Sequence, residues 1–102
     1  MVRTLEHPDP ADLTLQQVLE ALVDPVRRRI VTQLSEAADG MSCGTFDAAV
    51  SRSTLTHHFN VLREAGLIRQ TYAGTTKLNV LRTEDLESRF PGLLPALLAA
   101  GA

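Results

Sequence analysis

One stretch of the sequence constrains the fold more than any other: in residues 51–68 a helical pattern ends at a glycine and a strand pattern begins at once. At about 100° per residue, Leu55, Phe59 and Leu62 fall on one side of a helix and are expected to pack against the rest of the domain. Gly66 is expected to end that helix, because glycine readily adopts the left-handed conformation that closes a helix C-terminus. The stretch therefore predicts a short amphipathic helix that is followed directly by a β-strand.

The opposite side of this helix presents hydroxyl groups, an amide and an imidazole. Ser53, His57, Asn60 and Glu64 lie on that side, and Thr56 flanks it. A helix that enters the major groove of DNA needs small side chains that donate and accept hydrogen bonds at base edges. We therefore interpret this face as a candidate DNA-reading surface. His58 falls nearer the apolar side and is expected to be half-buried.

After this helix the sequence predicts a β-hairpin, with strands over residues 67–72 and 76–81. Gly74 is expected to form the turn, because it tolerates a positive φ. Arg69 and Lys77 lie on the two strands. A hairpin with cations, placed directly after such a helix, is typical of the wing beside a recognition helix.

The distribution of charge favours a nucleic-acid partner more than the total charge does. The whole chain carries a formal charge of −2. Residues 51–82 hold five cations and one acid, so this part carries +4 and the rest of the chain carries −6. A local basic patch attracts phosphate groups even when the total charge is negative. The alternative, a chance excess of cations on a solvated surface, stays open.

Length and composition indicate one intracellular domain with an aliphatic core. The 102 residues fit a single domain, and only four of them are aromatic, so Leu, Val, Ile and Ala must fill the interior. The single cysteine, Cys43, excludes an internal disulfide and a zinc finger, and it favours a reducing compartment. No apolar run approaches 18 residues and no signal peptide is recognisable, so we expect a cytoplasmic protein without a membrane span.

The N-terminal part is predicted to hold an arm and a first helix. Residues 1–11 are interpreted as a flexible arm, because two closely spaced prolines oppose helix formation there. Residues 12–102 are interpreted as the winged helix-turn-helix domain, with terminal helices that mediate dimerisation. Asp12 or Thr14 is expected to cap the first helix, which runs to about Leu22.

A second helix is expected to begin at Asp24 and Pro25, a capping residue followed by a proline at the first helical position. Its three consecutive arginines, residues 27–29, are interpreted as a solvated face in preference to phosphate contacts. Residues 36–50 show no long pattern, and a short helix over about residues 43–49 is the most that they predict.

The C-terminal part predicts two more helices. The first begins at Thr83, carries acidic residues in its first turn and breaks before Pro91. The second, over residues 93–98, is almost wholly apolar and needs a partner surface. That surface is either its own domain or a second copy of the chain. We favour the second copy and therefore predict a homodimer.

The order of these elements, together with the motif STLTHHFNVLREAGLI at residues 53–68, resembles the ArsR/SmtB family of bacterial winged helix-turn-helix regulators. The segment DPVRRRI at residues 24–30 looks like the start of that family's second helix, and residues 82–94 are similar to the tail of some members. The resemblance covers about residues 13–100. It implies a mainly α fold with a small β-hairpin, a winged helix-turn-helix in the arrangement α-α-α-α-β-β-α.

The resemblance also implies a function and partners. It implies a homodimer built on the first and last helices, a partly palindromic operator in double-stranded DNA, and transcription control that a metal or another signal often releases. In the wing, Arg69 and Lys77 would meet phosphates. The residues of the recognition helix that would touch bases or nearby phosphates are Ser53, Thr54, Thr56 and His57. With two further side chains of that helix, the predicted DNA-binding set is Arg52, Ser53, Thr54, Thr56, His57, Asn60, Arg69 and Lys77.

The sequence does not locate a metal site. Family members that sense arsenic or cadmium carry paired cysteines, whereas this chain has only Cys43, and members that sense zinc place Asp and His on the last helix, which has neither here. His57 and His58 are adjacent on a helix, point about 100° apart and suit chelation poorly. A site that uses His7, Cys43 or carboxylates from two subunits stays open, with nickel or zinc as suitable metals.

Two other functions, an enzyme and a protein-binding module, could use some of the same residues. Cys43 could act as a nucleophile with a histidine as its base, but nothing orients such a pair and no oxyanion donors are evident, so we predict no enzyme. A winged-helix module that binds proteins and never touches DNA would fit the acidic total charge. The basic cluster of Arg52, Arg69 and Lys77 argues against that module, because docking a protein does not require it.

Overall fold

The structure, a computed structural model, describes residues 5–42, 46 and 50–101. Five α-helices and three β-strands follow one another in this part of the chain. The helices are α1 (Leu15–Leu22), α2 (Pro25–Ser35), α3 (Arg52–Glu64), α4 (Thr83–Arg89) and α5 (Leu93–Ala100). The strands are β1 (Met41–Ser42), β2 (Ile68–Ala73) and β3 (Thr76–Leu81). None of the described helices is both long enough and apolar enough to cross a membrane.

This architecture confirms the predicted mainly α winged helix-turn-helix fold, with two differences in detail. The predicted hairpin belongs to a three-stranded antiparallel sheet in which β3 lies between β1 and β2. The two residues of β1 are too few to show an alternating pattern, so the sequence did not reveal this strand. The family arrangement ends in one helix, whereas this chain has α4 and α5, separated at Pro91 as its own pattern predicts. The predicted helix near residues 43–49 falls outside the described residues, apart from Phe46.

Side-chain caps fix where the first three helices begin. Thr14 and Ser51 each accept a hydrogen bond from the backbone N–H three residues further on, both at 3.2 Å. Asp24 accepts one from the Val26 N–H at 2.8 Å. Each such cap contributes about 1 kcal/mol, because the first N–H groups of a helix have no partner within it. Of the two caps considered for α1, Thr14 is therefore the one that the chain uses.

Gly66 closes the C-terminus of α3, as predicted, and this fixes where β2 begins. Gly66 has a φ of +85°. The Leu67 N–H donates to the Leu62 carbonyl at 2.9 Å and the Gly66 N–H donates to the Arg63 carbonyl at 3.0 Å, which are the two bonds of a Schellman motif. A Cβ at position 66 would collide with the side chain of Leu13. Glycine is therefore required here both for its conformation and for the close approach of the buried Leu13.

The core is aliphatic, as the composition predicts, and it lies where α1, α2 and α3 meet the sheet and the C-terminal helices. Full burial of one such side chain stabilises the fold by about 1.5–3 kcal/mol. Two of the four aromatic residues pack together in the core, with the rings of Phe46 and Phe59 in edge contact at a centroid distance of 6.0 Å. The least exposed core residues are Leu13, Val18, Ala21, Ile30, Leu34, Phe59, Leu62, Leu67, Ile68 and Leu86.

The described part of the predicted N-terminal arm, residues 5–11, lies against the domain. His7 Nε2 accepts a hydrogen bond from the Gln70 N–H at 2.9 Å. The Pro8 carbonyl accepts one from the Arg82 guanidinium, also at 2.9 Å. The prediction of a flexible arm did not anticipate these contacts, because the partners lie 63 and 74 residues away in the sequence.

Candidate nucleic-acid interface

α3 presents one face to the core and the other to solvent. Phe59 and Leu62 are buried and hold the helix against the domain. The opposite face is open to solvent and carries no carboxylate from its first turn to its middle. The predicted side chains exposed on this face are Arg52, Ser53, Thr54, Thr56 and His57, with Asn60 half-buried beside them.

Hydroxyl groups cluster in the first turns of α3. Ser51 Oγ lies 2.8 Å from Thr54 Oγ1 and 3.2 Å from Ser53 Oγ. Thr56 Oγ1 donates to the Arg52 carbonyl at 3.0 Å. The N-terminus of a helix attracts anions because its N–H groups and its dipole both carry positive partial charge. This end of α3 therefore suits a phosphate group of a nucleic-acid backbone.

The two adjacent histidines of α3 have different environments. His57 is exposed, whereas His58 is only 7% exposed, which is deeper than the half-buried position predicted. His58 Nδ1 lies 3.1 Å from the Arg27 guanidinium, which can only donate to it. Burial lowers the pKa of His58; the carboxylate of Asp24 opposes this change and the charge of Arg27 adds to it. His58 is therefore a neutral, structural residue, and His57 is the imidazole available to a ligand.

The consecutive arginines of α2 differ from the solvated face that was predicted. Arg27 Nε donates to the Ala21 carbonyl, and Arg28 donates to the Leu22 carbonyl at 2.8 Å. The last carbonyls of a helix have no partner within it, so cations placed there stabilise its C-terminus. Two of the three arginines therefore hold the end of α1, and Arg29 is the one that is exposed.

The wing places its two predicted cations on different faces. Lys77 pairs with Tyr72 near the turn at Gly74, and its Nζ lies 5.6 Å from the centroid of the Tyr72 ring. Because side chains alternate between the two faces of a sheet, Arg69 lies on the opposite face from Lys77. Arg69 is exposed there, and its guanidinium lies 3.8 Å from the Asp85 carboxylate. The structure therefore does not bring the two cations together.

A chain of polar side chains connects α3 to the wing. Arg63 donates to Asn60 Oδ1 at 3.2 Å and to Gln70 Oε1 at 2.8 Å. Gln70 Nε2 donates to Asn79 Oδ1 at 2.7 Å, and Asn79 Nδ2 donates to the Met41 carbonyl at 3.0 Å. Sequence reasoning missed this network. The signal available was a polar residue at an inward position on each of two strands, where the alternating pattern predicts an apolar one.

The described residues do not assemble a metal site. They contain no group of three or more His, Cys, Asp or Glu side chains placed to hold an ion. The rings of His57 and His58 have centroids 5.9 Å apart and are tilted by 50°. His7 and His58 each use one ring nitrogen to accept a hydrogen bond, and Cys43 lies outside the described residues.

Comparison with known proteins identifies the family. Residues 22–71, which contain α2, α3 and most of β2, match the family model of a helix-turn-helix domain. The chain is also 32% identical, over 83 residues, to an uncharacterized HTH-type transcriptional regulator of Bacillus subtilis (strain 168), YceK. That similarity covers 79% of this chain and 83% of the relative. This chain is a helix-turn-helix transcriptional regulator.

A solved structure defines the type of regulator. The fold is similar to that of an ArsR-like transcriptional regulator from Rhodococcus sp. RHA1, with a TM-score of 0.64 and 27% sequence identity. The match covers 74% of this chain and 71% of the Rhodococcus chain. The regulator is therefore of the ArsR type, as its recognition-helix motif predicted, and it acts on transcription by binding DNA. The alternative of a protein-interaction module without DNA binding is not favoured.

Proposed function

We propose that this ArsR-type regulator reads a specific operator with the outward face of α3 and holds the same duplex with its wing. The observation that carries the proposal is the division of α3 into a buried apolar face and an exposed face of hydroxyls, an imidazole and a cation. The proposed contact residues are Arg52, Ser53, Thr54, Thr56, His57, Asn60, Arg69 and Lys77.

The contact residues take different roles in this proposal. Thr56 and His57 contact base edges, where one good contact contributes about 1–3 kcal/mol of discrimination. The hydroxyls of the first turn bind a phosphate group at the N-terminus of α3. Lys77 binds phosphate from the wing. Arg69 contributes less, because it lies on the other face of the wing and beside the Asp85 carboxylate.

The proposal includes a homodimer formed through α1 and α5. Leu15 and Leu19 are 46% and 43% exposed on one side of α1, and Val23, directly after the helix, is 74% exposed. On α5, Leu97 and Leu98 are half-buried at the edge of the core. A stripe of large apolar side chains on a helix surface supports a contact with another copy. A two-fold dimer of this kind offers two copies of α3 to major grooves about 34–36 Å apart.

Selection from random-sequence duplexes, followed by fluorescence anisotropy, tests the proposal. We expect the full chain to enrich a partly palindromic sequence and to bind it at least about 1,000-fold more tightly than a scrambled duplex. His57→Ala should lose about 1–3 kcal/mol on the selected duplex and little on the scrambled one. Ser88→Ala, at an exposed position of α4, is the control and should change neither. No enriched sequence, or unchanged specificity in His57→Ala, would contradict the proposal.

Control by a metal is a prediction from the family resemblance. Titration calorimetry of the full chain with nickel and with zinc, paired with anisotropy in the presence of each metal, tests it. Heat of binding together with a change in operator affinity would support metal sensing. No heat and no change in affinity would contradict sensing of these two metals by this chain.

A further inference from the structure

We infer that Arg63, Gln70 and Asn79 form a positioning network that fixes the orientation of the wing relative to α3. The inference deepens the proposed function and rests on it where DNA contacts are concerned. The geometry of the network is present in the free protein and can be tested without DNA.

The chemistry of the two ends fixes the direction of the four side-chain hydrogen bonds described above. Arg63 can only donate, so the amide oxygens of Asn60 and Gln70 must face it. The Met41 carbonyl can only accept, so the amide nitrogen of Asn79 must face it. Between these ends, Gln70 Nε2 donates to Asn79 Oδ1 at 2.7 Å. Rotating the side-chain amide of Gln70 or of Asn79 by 180° would place two donors together at one contact and two acceptors together at the other.

Burial makes the loss of a hydrogen bond in this network costly. Gln70 and Asn79 are 1% and 0% exposed, so water does not replace a lost partner. Leaving one buried polar group unpaired costs about 1–3 kcal/mol, whereas replacing both partners with apolar groups of similar shape is nearly neutral. The bond between the two amides therefore contributes little net stability by itself, although Arg63 and the Met41 carbonyl would each lose a partner if both amides were replaced. What it contributes is one defined arrangement of α3, β2 and β3.

The network connects residues that the proposed function places on DNA. At one end, Asn60 Oδ1 accepts a hydrogen bond from Arg63. The amide nitrogen of Asn60 has no hydrogen-bond partner among the described residues. Asn60 therefore offers DNA a donor from that nitrogen. At the other end, Asn79 lies two residues from Lys77 on the same face of β3. Loss of Arg63 is expected to release the wing and, with it, the phosphate contact of Lys77.

A distance measurement tests the positioning role without DNA. Spin labels at Glu64→Cys on α3 and Thr75→Cys in the turn of the wing, with Cys43→Ser in every protein, report the separation of the two elements. Labelled chains are diluted with unlabelled chains so that one pair per assembly is measured. With the native network we expect one narrow distance distribution. Arg63→Met and the double variant Gln70→Leu, Asn79→Leu should both broaden it, and circular dichroism checks that each variant remains folded. An unchanged distribution in both variants would overturn the inference.

A double-mutant cycle on the selected operator tests the functional consequence. With Arg63 present, Lys77→Ala should weaken binding about fivefold, and in the Arg63→Met background the same change should weaken it less than about twofold. Arg63→Lys should restore part of the difference, because one ammonium group can bond to one of the two amides. Equal losses in the two backgrounds would contradict coupling through the network. If Lys77→Ala has no effect with Arg63 present, the wing contact of the proposed function fails, and the label distances alone decide the inference.

Discussion

The two ends of this regulator meet their surroundings with opposite chemistry. At one end, α3 and the wing expose hydroxyls, an imidazole and cations, and they bury amides between them. At the other end, α1 exposes large apolar side chains beside the apolar α5. Residues 51–82 carry +4 and the rest of the chain carries −6. The difference shows that a chain of this size can present a cationic, hydrogen-bonding surface at one end and an apolar surface at the other.

Among the described residues, Arg27 contacts both ends. Arg27 donates to the Ala21 carbonyl at the end of α1 and lies within hydrogen-bond distance of His58 on α3. The position of the DNA-reading helix therefore depends on the helix that is proposed to form the dimer.

The largest effect is expected from a charge placed in the apolar stripe. Leu19→Glu should dissociate the dimer, because it places a carboxylate in the proposed interface, and it should weaken operator binding about 100-fold because the two half-sites are no longer linked. The monomer should stay folded, since Leu19 is 43% exposed. Light scattering and anisotropy measure the two effects. Ala38→Glu, an acid added at an exposed loop position, is the control. A Leu19→Glu protein with the mass of a dimer would contradict the proposal that α1 forms the dimer interface.

The next effect tests the connection between the ends. Arg27→Met should reduce the free energy of unfolding by about 2 kcal/mol, because hydrogen bonds from a charged donor are lost at both α1 and His58. Urea denaturation followed by circular dichroism measures it. Arg29→Met, an exposed neighbour on the same helix, should change the stability by less than about 0.5 kcal/mol. Equal effects of the two substitutions would contradict the bridging role.

A smaller effect distinguishes the two faces of the wing. Lys77→Ala should weaken binding to all duplexes by a similar factor and lower the slope of log affinity against log salt by about 0.9, the value for one lost phosphate contact. Arg69→Ala should change the slope less, because Arg69 lies on the other face beside Asp85. Anisotropy titrations across a range of salt concentrations compare the variants. A larger change in slope for Arg69→Ala than for Lys77→Ala would show that the face of the wing with Arg69, and not the face with Lys77, contacts phosphate groups.

The smallest effect is a dependence of stability on pH. Burial lowers the pKa of His7 and of His58 below 6.5, and for His7 the charges of Arg69, Arg63 and Arg82 add to the change. The unfolded chain therefore binds more protons near this pH. The stabilisation is fully present above pH 6.5 and decreases as the pH falls below it.

Urea midpoints measured at about pH 7.5 and about pH 5 test this dependence. The double variant His7→Gln, His58→Gln should show a smaller difference between the two midpoints. Stability that increases on acidification would show that neither histidine is held neutral by the fold.

Local signals allowed much of this fold to be predicted. Thr14 and Asp24 cap helices because a cap depends on residues two or three positions away, and Gly66 ends α3 for the same reason. The two faces of α3 follow from helical spacing alone. The hairpin and the DNA-reading face of α3 were predicted from the same local patterns, and the family resemblance added the operator and the homodimer, of which the homodimer stays a prediction.

Distant contacts were not predictable from these patterns. The pairing of β1 with β3, and the bond between His7 and Gln70, join segments that are far apart in the sequence. The polar pair of Gln70 and Asn79 has no sequence signature beyond its inward position on two strands. Two of the arginines of α2 turn to the end of α1 because the carbonyls there lack partners, which only the packing of the helices reveals.

The central claim is that α3 and the wing, and not the α1–α5 end, face DNA. The most direct measurement is the change in backbone amide chemical shifts of the isotope-labelled full chain when the selected duplex is added. The account predicts the largest changes in residues 51–57 and 73–77, with residues 15–23 and 93–98 almost unchanged. Changes concentrated at the α1–α5 end, with the first turns of α3 unaffected, would contradict it.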